Sequence, residues 1–166
     1  TLDLKSGINQ INKIYDFHAT TFENDYSNDV GSGTIIKYDP DSTGTIPGSE
    51  IYYLHTDGSW RAAQANSTLT GSKSLLAVGL GADAGTTGLL MEGFIRIAST
   101  EILNVPGSGA VDGLPVYVSS ATAGHFDFTA PSTSNHYVRI VGYAIDDDGG
   151  DVLIYFDPDK TWVTIA

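Results

Sequence analysis

The stretch with the most chemical promise runs Asp39-Pro40-Asp41-Ser42-Thr43-Gly44-Thr45-Ile46-Pro47-Gly48-Ser49-Glu50. Counted from Asp39, side-chain oxygens stand at positions one, three and five, a glycine at six, an aliphatic at eight and a glutamate at twelve. That is the spacing of a calcium loop, in which the glycine permits a sharp turn and the last glutamate closes on the ion with both oxygens. Asp39, Asp41, Thr43 and Glu50 are therefore the candidate Ca²⁺ ligands. The flanks favour a plainer reading. Ile35-Ile36 and Ile51-Tyr52-Tyr53 are β-prone, and prolines occupy positions two and nine. An acidic turn between two strands is the stronger interpretation, and no cofactor is expected.

Other candidates weaken on inspection. Asp146-Asp147-Asp148-Gly149-Gly150-Asp151 concentrates charge at a hairpin tip, where such residues are usually solvated. Gly79-Leu80-Gly81-Ala82-Asp83-Ala84 imitates a dinucleotide loop but lacks the strand–helix context that loop requires. His18, His55, His125 and His136 show no metal-ligand spacing. Ser108 does not sit in a nucleophile elbow. Acids are plentiful, yet nothing singles out two for glycoside hydrolysis. The chain is read as non-enzymatic. Tyr52, Tyr53, Trp60, Tyr117, Tyr137, Tyr143, Tyr155 and Trp162 would stack on sugars if exposed, but on strands most such residues are core or cross-strand pairs.

Composition narrows the partners. Twenty acidic residues against eight basic ones give a formal charge of −12. That surface repels phosphate backbones, so nucleic acid is not an expected partner. The 166 residues suit one domain with a real core. There is no cysteine, so disulfide and thiolate chemistry are absent. No run approaches the roughly 18–20 apolar residues of a membrane-spanning helix, and no membrane insertion is expected. Thr1 where an initiator Met would stand fits a processed product or a fragment.

The elements that must position these residues are strands. Residues 1–33 read as an irregular arm or linker, with Ile8, Ile11, Ile14 and Phe17 at a weak helical period and 26–33 as loop. A β domain over 34–166 follows. Strands are expected at 34–38, 50–55, 60–63, 75–80, 88–98, 114–118, 125–128, 137–145, 152–156 and 162–165, with Asp57-Gly58 turning the first hairpin. Turn signals every 8–12 residues indicate an all-β fold, an antiparallel barrel or sandwich. Two segments, about 50–98 and 114–166, read as copies. Tyr53 matches Tyr117, Trp60 matches Phe126, Val78-Gly79 matches Val141-Gly142 and Leu90 matches Leu153. This pseudo-repeat places Gly79 and Gly142 where one backbone approaches another.

The runs EIYYLHTDGSW, LLAVGLGADAGTTGLLMEGFIRI and GLPVYVSSATAGHFDFTAPSTSNHYVRIVGYAIDDDGGDVLIYFDPDKTWVTIA resemble a domain of structural proteins in tailed phages, especially marine and cyanobacterial ones. In that family it is similar to the C-terminal module of fibre or appendage proteins, with the Phe-Asp-Pro-x-x-Thr-Trp-Val-x-Ile signature. The second half is also similar to small capsid cement, or decoration, proteins. The resemblance spans about 34–166 and supplies no catalytic residue. It implies a virion location, a homotrimer, and neighbours among other virion proteins of the capsid or fibre stalk. Under the decoration reading the arm lies on the shell through Ile8, Ile11, Ile14, Tyr15 and Phe17; under the fibre reading it joins a trimeric stalk. The alternative is a carbohydrate- or receptor-binding module for a host surface glycan, stiffened by Ca²⁺.

Overall fold

The computed structural model describes residues 28–39, 45–66, 73–107 and 110–166. Among these the chain forms strands and no helix. In order they are β1 (Gly31–Ile36), β2 (Ile51–Leu54), β3 (Trp60–Ala62), β4 (Leu76–Gly79), β5 (Leu89–Ile97), β6 (Ile102–Leu103), β7 (Pro115–Val118), β8 (Phe126–Asp127), β9 (Tyr137–Val138), β10 (Ile140–Asp148), β11 (Asp151–Phe156) and β12 (Val163–Thr164).

Ten strands make one strongly curled sheet, ordered β3-β2-β4-β5-β11-β10-β7-β8-β6, with β1 laid antiparallel on β5. Outward from the β5–β11 seam, the order is β4, β2, β3 on one side and β10, β7, β8 on the other. The strand orders of β2-β3-β4-β5 and β7-β8-β10-β11 are alike, and the two groups meet through their last strands. The curl brings the two outer hairpins together. Ala65 N donates to Ser119 O at 2.9 Å, and Gly124 N donates to Ala63 O at 2.8 Å. These bonds satisfy backbone groups that an open edge would leave exposed.

Local chemistry explains the hairpins. In the β2–β3 turn Gly58 has φ 91°, a conformation that favours glycine. Asp57 Oδ1 accepts from Ser59 N at 3.0 Å and Ser59 Oγ at 2.6 Å, and Arg61 Nη2 lies 2.6 Å from Oδ2. The Ser59 and His55 hydrogen bonds hold the Asp57 carboxyl well below the usual carboxylate range. Gly33 and Gly93 face each other where β1 lies on β5, both at positive φ, and a side chain on either would strike the other strand's backbone.

The main core lies inside the curl. Ile51, Val78, Leu90, Ile95, Ile97, Val116, Phe126, Val141, Val152, Ile154 and Phe156 are all buried there. Each large apolar side chain fully buried in this way stabilises the fold by about 1.5–3 kcal/mol. A second cluster covers the other face of the first unit: Ile46, Tyr52, Trp60, Ala77, Ala84 and Leu89. Period-two alternation sends Ile51 and Tyr53 to the main core and Tyr52 to the second.

The structure departs from the expected elements in four places. The first strand begins at Gly31, inside the stretch read as loop, because the Gly-Ser-Gly backbone pairs with Gly93–Ile95. The expected strand over 137–145 is two: β9 pairs with β12 in a separate ribbon, while β10 enters the main sheet. The unexpected β6 runs parallel to β8. Finally, the landmark leucines are not equivalent in register. Leu90 stands opposite Val78, but Leu153 stands opposite Asp146 and not Val141; the bulge in β10 between Ala144 and Asp146 accounts for one residue of that offset. The paired glycines do act alike. A methyl on Gly79 would collide with the Pro47 carbonyl, and one on Gly142 with the Tyr155 carbonyl.

Candidate functional site

The expected site residues disperse. Asp41 and Thr43 lie outside the described residues, as do Ile8, Ile11, Ile14, Tyr15 and Phe17. Of the acidic segment's two ends, Asp39 neighbours Gly85, whereas Glu50 abuts Gly124 and accepts from Tyr52 Oη at 2.7 Å. The two carboxylates are thus set against different loops. Burial, then the Glu50 hydrogen bond and charge, push the Tyr52 hydroxyl far above its ordinary value, so it acts as a donor and not as a base. Among the described residues, no three His, Asp or Glu side chains gather as a metal site.

The acidic hairpin tip is the turn between β10 and β11, with Asp148 opposite Asp151. Beneath it lies Arg96, whose side chain is only 7% exposed and whose Nη2 stands 4.0 Å from Asp146 Oδ2. Arg96 Nη1 has no hydrogen-bond partner. Asp151 accepts from Asn28 Nδ2 at 2.9 Å and from Ser99 N at 2.7 Å. Desolvation raises the Asp151 pKa, but the Asn28 and Ser99 hydrogen bonds and the Arg96 charge outweigh it and hold the carboxyl below its ordinary value. The tip is therefore partly balanced from within the protein.

His18 lies outside the described residues; the other three histidines have structural surroundings. His55 Nδ1 lies 2.9 Å from Asp57 Oδ1 in the first hairpin. His125 Nε2 approaches Glu101 Oε2 to 3.3 Å, near enough for attraction but without hydrogen-bond alignment. His136 is half-buried beside the β9–β12 ribbon, and its Nδ1 has no partner.

The candidate tyrosines and tryptophans range from buried to exposed, with Tyr117, Tyr137 and Tyr155 half-buried. Tyr52, Tyr53 and Trp60 are buried. Tyr143 and Trp162 are 46% and 42% exposed. Register assembles Tyr143 into a row: it stands opposite Pro115 on β7 and Tyr155 on β11, and Tyr155 stands opposite Phe94 on β5. Directly opposed residues share a sheet face, here the one turned away from the main core. Phe94 and Tyr155 touch, with ring centroids 5.1 Å apart and planes tilted by 51°. Tyr155 Oη donates to Glu92 Oε1 at 3.2 Å. Burial, then Glu92 and Asp157, raise the Tyr155 pKa, so it remains a neutral phenol.

A second exposed feature is the β9–β12 ribbon. Among the described residues β12 pairs with β9 alone, and Val163 within it is 65% exposed. Thr161 to Ala166 carry no ionisable side chain. Residues absent from the candidate set are thus Phe94, Glu92 and Pro115. Only the period-two alternation of β5 marks Phe94 from sequence; the ring it meets, Tyr155, comes from a strand more than 50 residues away in the chain. No family model matches the chain, and no curated protein matches it.

Proposed function

We propose that the chain is a structural subunit of a bacteriophage virion surface that acts by assembly and not by catalysis. It serves as a fibre or appendage tip domain, or as a capsid decoration subunit, in a homotrimer. The observation that carries this reading is the β9–β12 ribbon. Exposed Val163 on β12 and exposed Trp162 just before it, beside an edge unpaired among the described residues, make a surface that a neighbouring chain can cover by packing and by main-chain pairing. The strong negative charge of the chain opposes association elsewhere, whereas 161–166 offers an uncharged contact. The resemblance over 34–166 points the same way.

Light-scattering mass of the purified chain tests it, first with Ca²⁺ and then with chelator. A trimer under both conditions is the expected result, and Val163→Lys is expected to shift the mass toward the monomer. A monomer at every concentration would overturn the assembly reading for this chain.

A further inference from the structure

We propose that residues 8–17 of a neighbouring copy, a segment outside the described residues, cover the apolar face of the β9–β12 ribbon. This names the occupant of the assembly surface, so it rests on the homotrimer reading. Among the described residues the ribbon has two strands, with Val163 opposite Val138 and Thr164 opposite Tyr137. Period-two alternation places Val163, Val138 and Ile165 on one face. Val163 is 65% exposed there, and Val138 and Ile165 are half-buried. The opposite face, which carries Tyr137, is turned to Lys73, whose ammonium lies 4.4 Å from the ring centroid. Two paired strands with an open apolar face gain little stability in water; a further strand or packed layer is what such a ribbon lacks.

Charge selects the occupant. Neither 128–138 nor 160–166 contains a carboxylate side chain, and Arg139 and Lys160 border the ribbon. The whole formal charge of −12 falls on residues 18–166, whereas 1–17 sets Asp3 and Asp16 against Lys5 and Lys13 and is neutral. Within it, Ile8, Ile11, Ile14, Tyr15 and Phe17 share a run in which only Lys13 and Asp16 are charged. That run approaches another copy without the like-charge repulsion that opposes contact elsewhere. A ribbon set against a second ribbon is also uncharged, but that contact is isologous and closes at two chains. An arm on a ribbon is head-to-tail and closes a ring of three.

Path length favours a neighbour's ribbon over the chain's own. Asn28 is fixed beside the hairpin tip through its bond to Asp151. From the Asp148–Asp151 pair to the Val138–Val163 pair, β10 and β9 run roughly 33 Å along the hairpin. The stretch from Asn28 back to Phe17 reaches at most about 36–40 Å. Within one copy, Phe17 therefore meets the ribbon only if that stretch is pulled nearly straight.

Disulfide trapping in the full chain tests the proposal, because the sequence has no cysteine of its own. Ile14→Cys and Val163→Cys, made in separate chains and mixed under mild oxidation, are expected to give a covalent heterodimer joining the two positions. The double variant is expected to run as a covalent trimer. Full chains carrying Ile11→Ser, Ile14→Ser and Phe17→Ser together are expected to dissociate at a concentration higher by about tenfold or more. If light scattering finds a trimer but the two cysteines never join between chains, the assignment falls and the assembly reading stands. Links confined to single chains, or Val163→Cys joined only to itself, are that outcome. A triple serine variant that holds its trimer as tightly as wild type has the same meaning. A wild-type chain that is monomeric at every concentration overturns both.

Discussion

The two four-stranded units share a strand order but cover their outer faces to different extents. In the first, Ile46 and the Ala84 loop lie over Tyr52, Trp60, Ala77 and Leu89, so both faces of the sheet are buried. In the second, the outer face is closed at Leu153 and Arg96, 0% and 6% exposed, and open at Tyr143, 46% exposed. Duplicated topology therefore does not imply duplicated duty. A covered face adds packing energy, whereas an uncovered aromatic face contributes little to stability and is available for contact. The landmark correspondence of Trp60 with Phe126 shows the same divergence. Trp60 fills the outer layer of its unit, and Phe126 fills the common core, where it meets Phe156 edge-on at 6.4 Å.

The largest expected effect is on the covered side. Trp60 is 1% exposed and its Nε1 donates to Tyr38 O at 2.7 Å. Trp60→Ala should cost about 3–5 kcal/mol in urea unfolding, and a loss below about 1 kcal/mol would show that this layer is not a packed core. The link between the units comes next. Arg139, 8% exposed, donates to Asp159 O at 2.6 Å and Ser74 O at 2.7 Å, joining the entry of β4 to the exit of β11. Burial lowers its pKa, partly offset by Asp159. Arg139→Met should destabilise by about 1–3 kcal/mol, because two acceptors lose their donor; an unchanged denaturation midpoint would remove Arg139 as a tie.

A smaller effect is expected at the hairpin tip. Asp151 titrates below its ordinary value in the folded chain, so its contribution is fully present above the unfolded pKa and is lost as pH falls through the folded one. The stability gap between wild type and Asp151→Asn, at most about 1 kcal/mol for so exposed a carboxylate, should be constant above about pH 5 and close below about pH 4. A gap that widened on acidification would reverse the sign of this account. The smallest expected effect is on the open face, where Tyr143→Ala should change unfolding by less than about 0.5 kcal/mol. A cost as large as that of Trp60→Ala would erase the difference between the two units.

Much of the fold was legible because it depends on local pattern. The Asp57-Gly58 hairpin and the Gly79 and Gly142 close approaches follow from residue types and their immediate neighbours; along β5 the alternation holds from Glu92 and breaks at Met91, so Leu90 joins Ile95 and Ile97 in the core. The candidate ligands were a different matter. Asp39 and Glu50 satisfy a spacing rule, yet Asp39 lies near Gly85 and Glu50 beside Gly124, two segments far apart in the chain. The strand at Gly31 was hidden because glycine and serine have little β preference of their own, and only pairing with β5 makes them a strand.

The sequence by itself determined an anionic, cysteine-free, all-β chain with a doubled strand order, since charge, turn chemistry and period-two patterning act over a few residues at a time. Only the tertiary structure decided which face of each unit is covered and which aromatic residues share a row. Those outcomes depend on register between strands from distant segments, and a single bulge, as between Ala144 and Asp146, alters which residues meet.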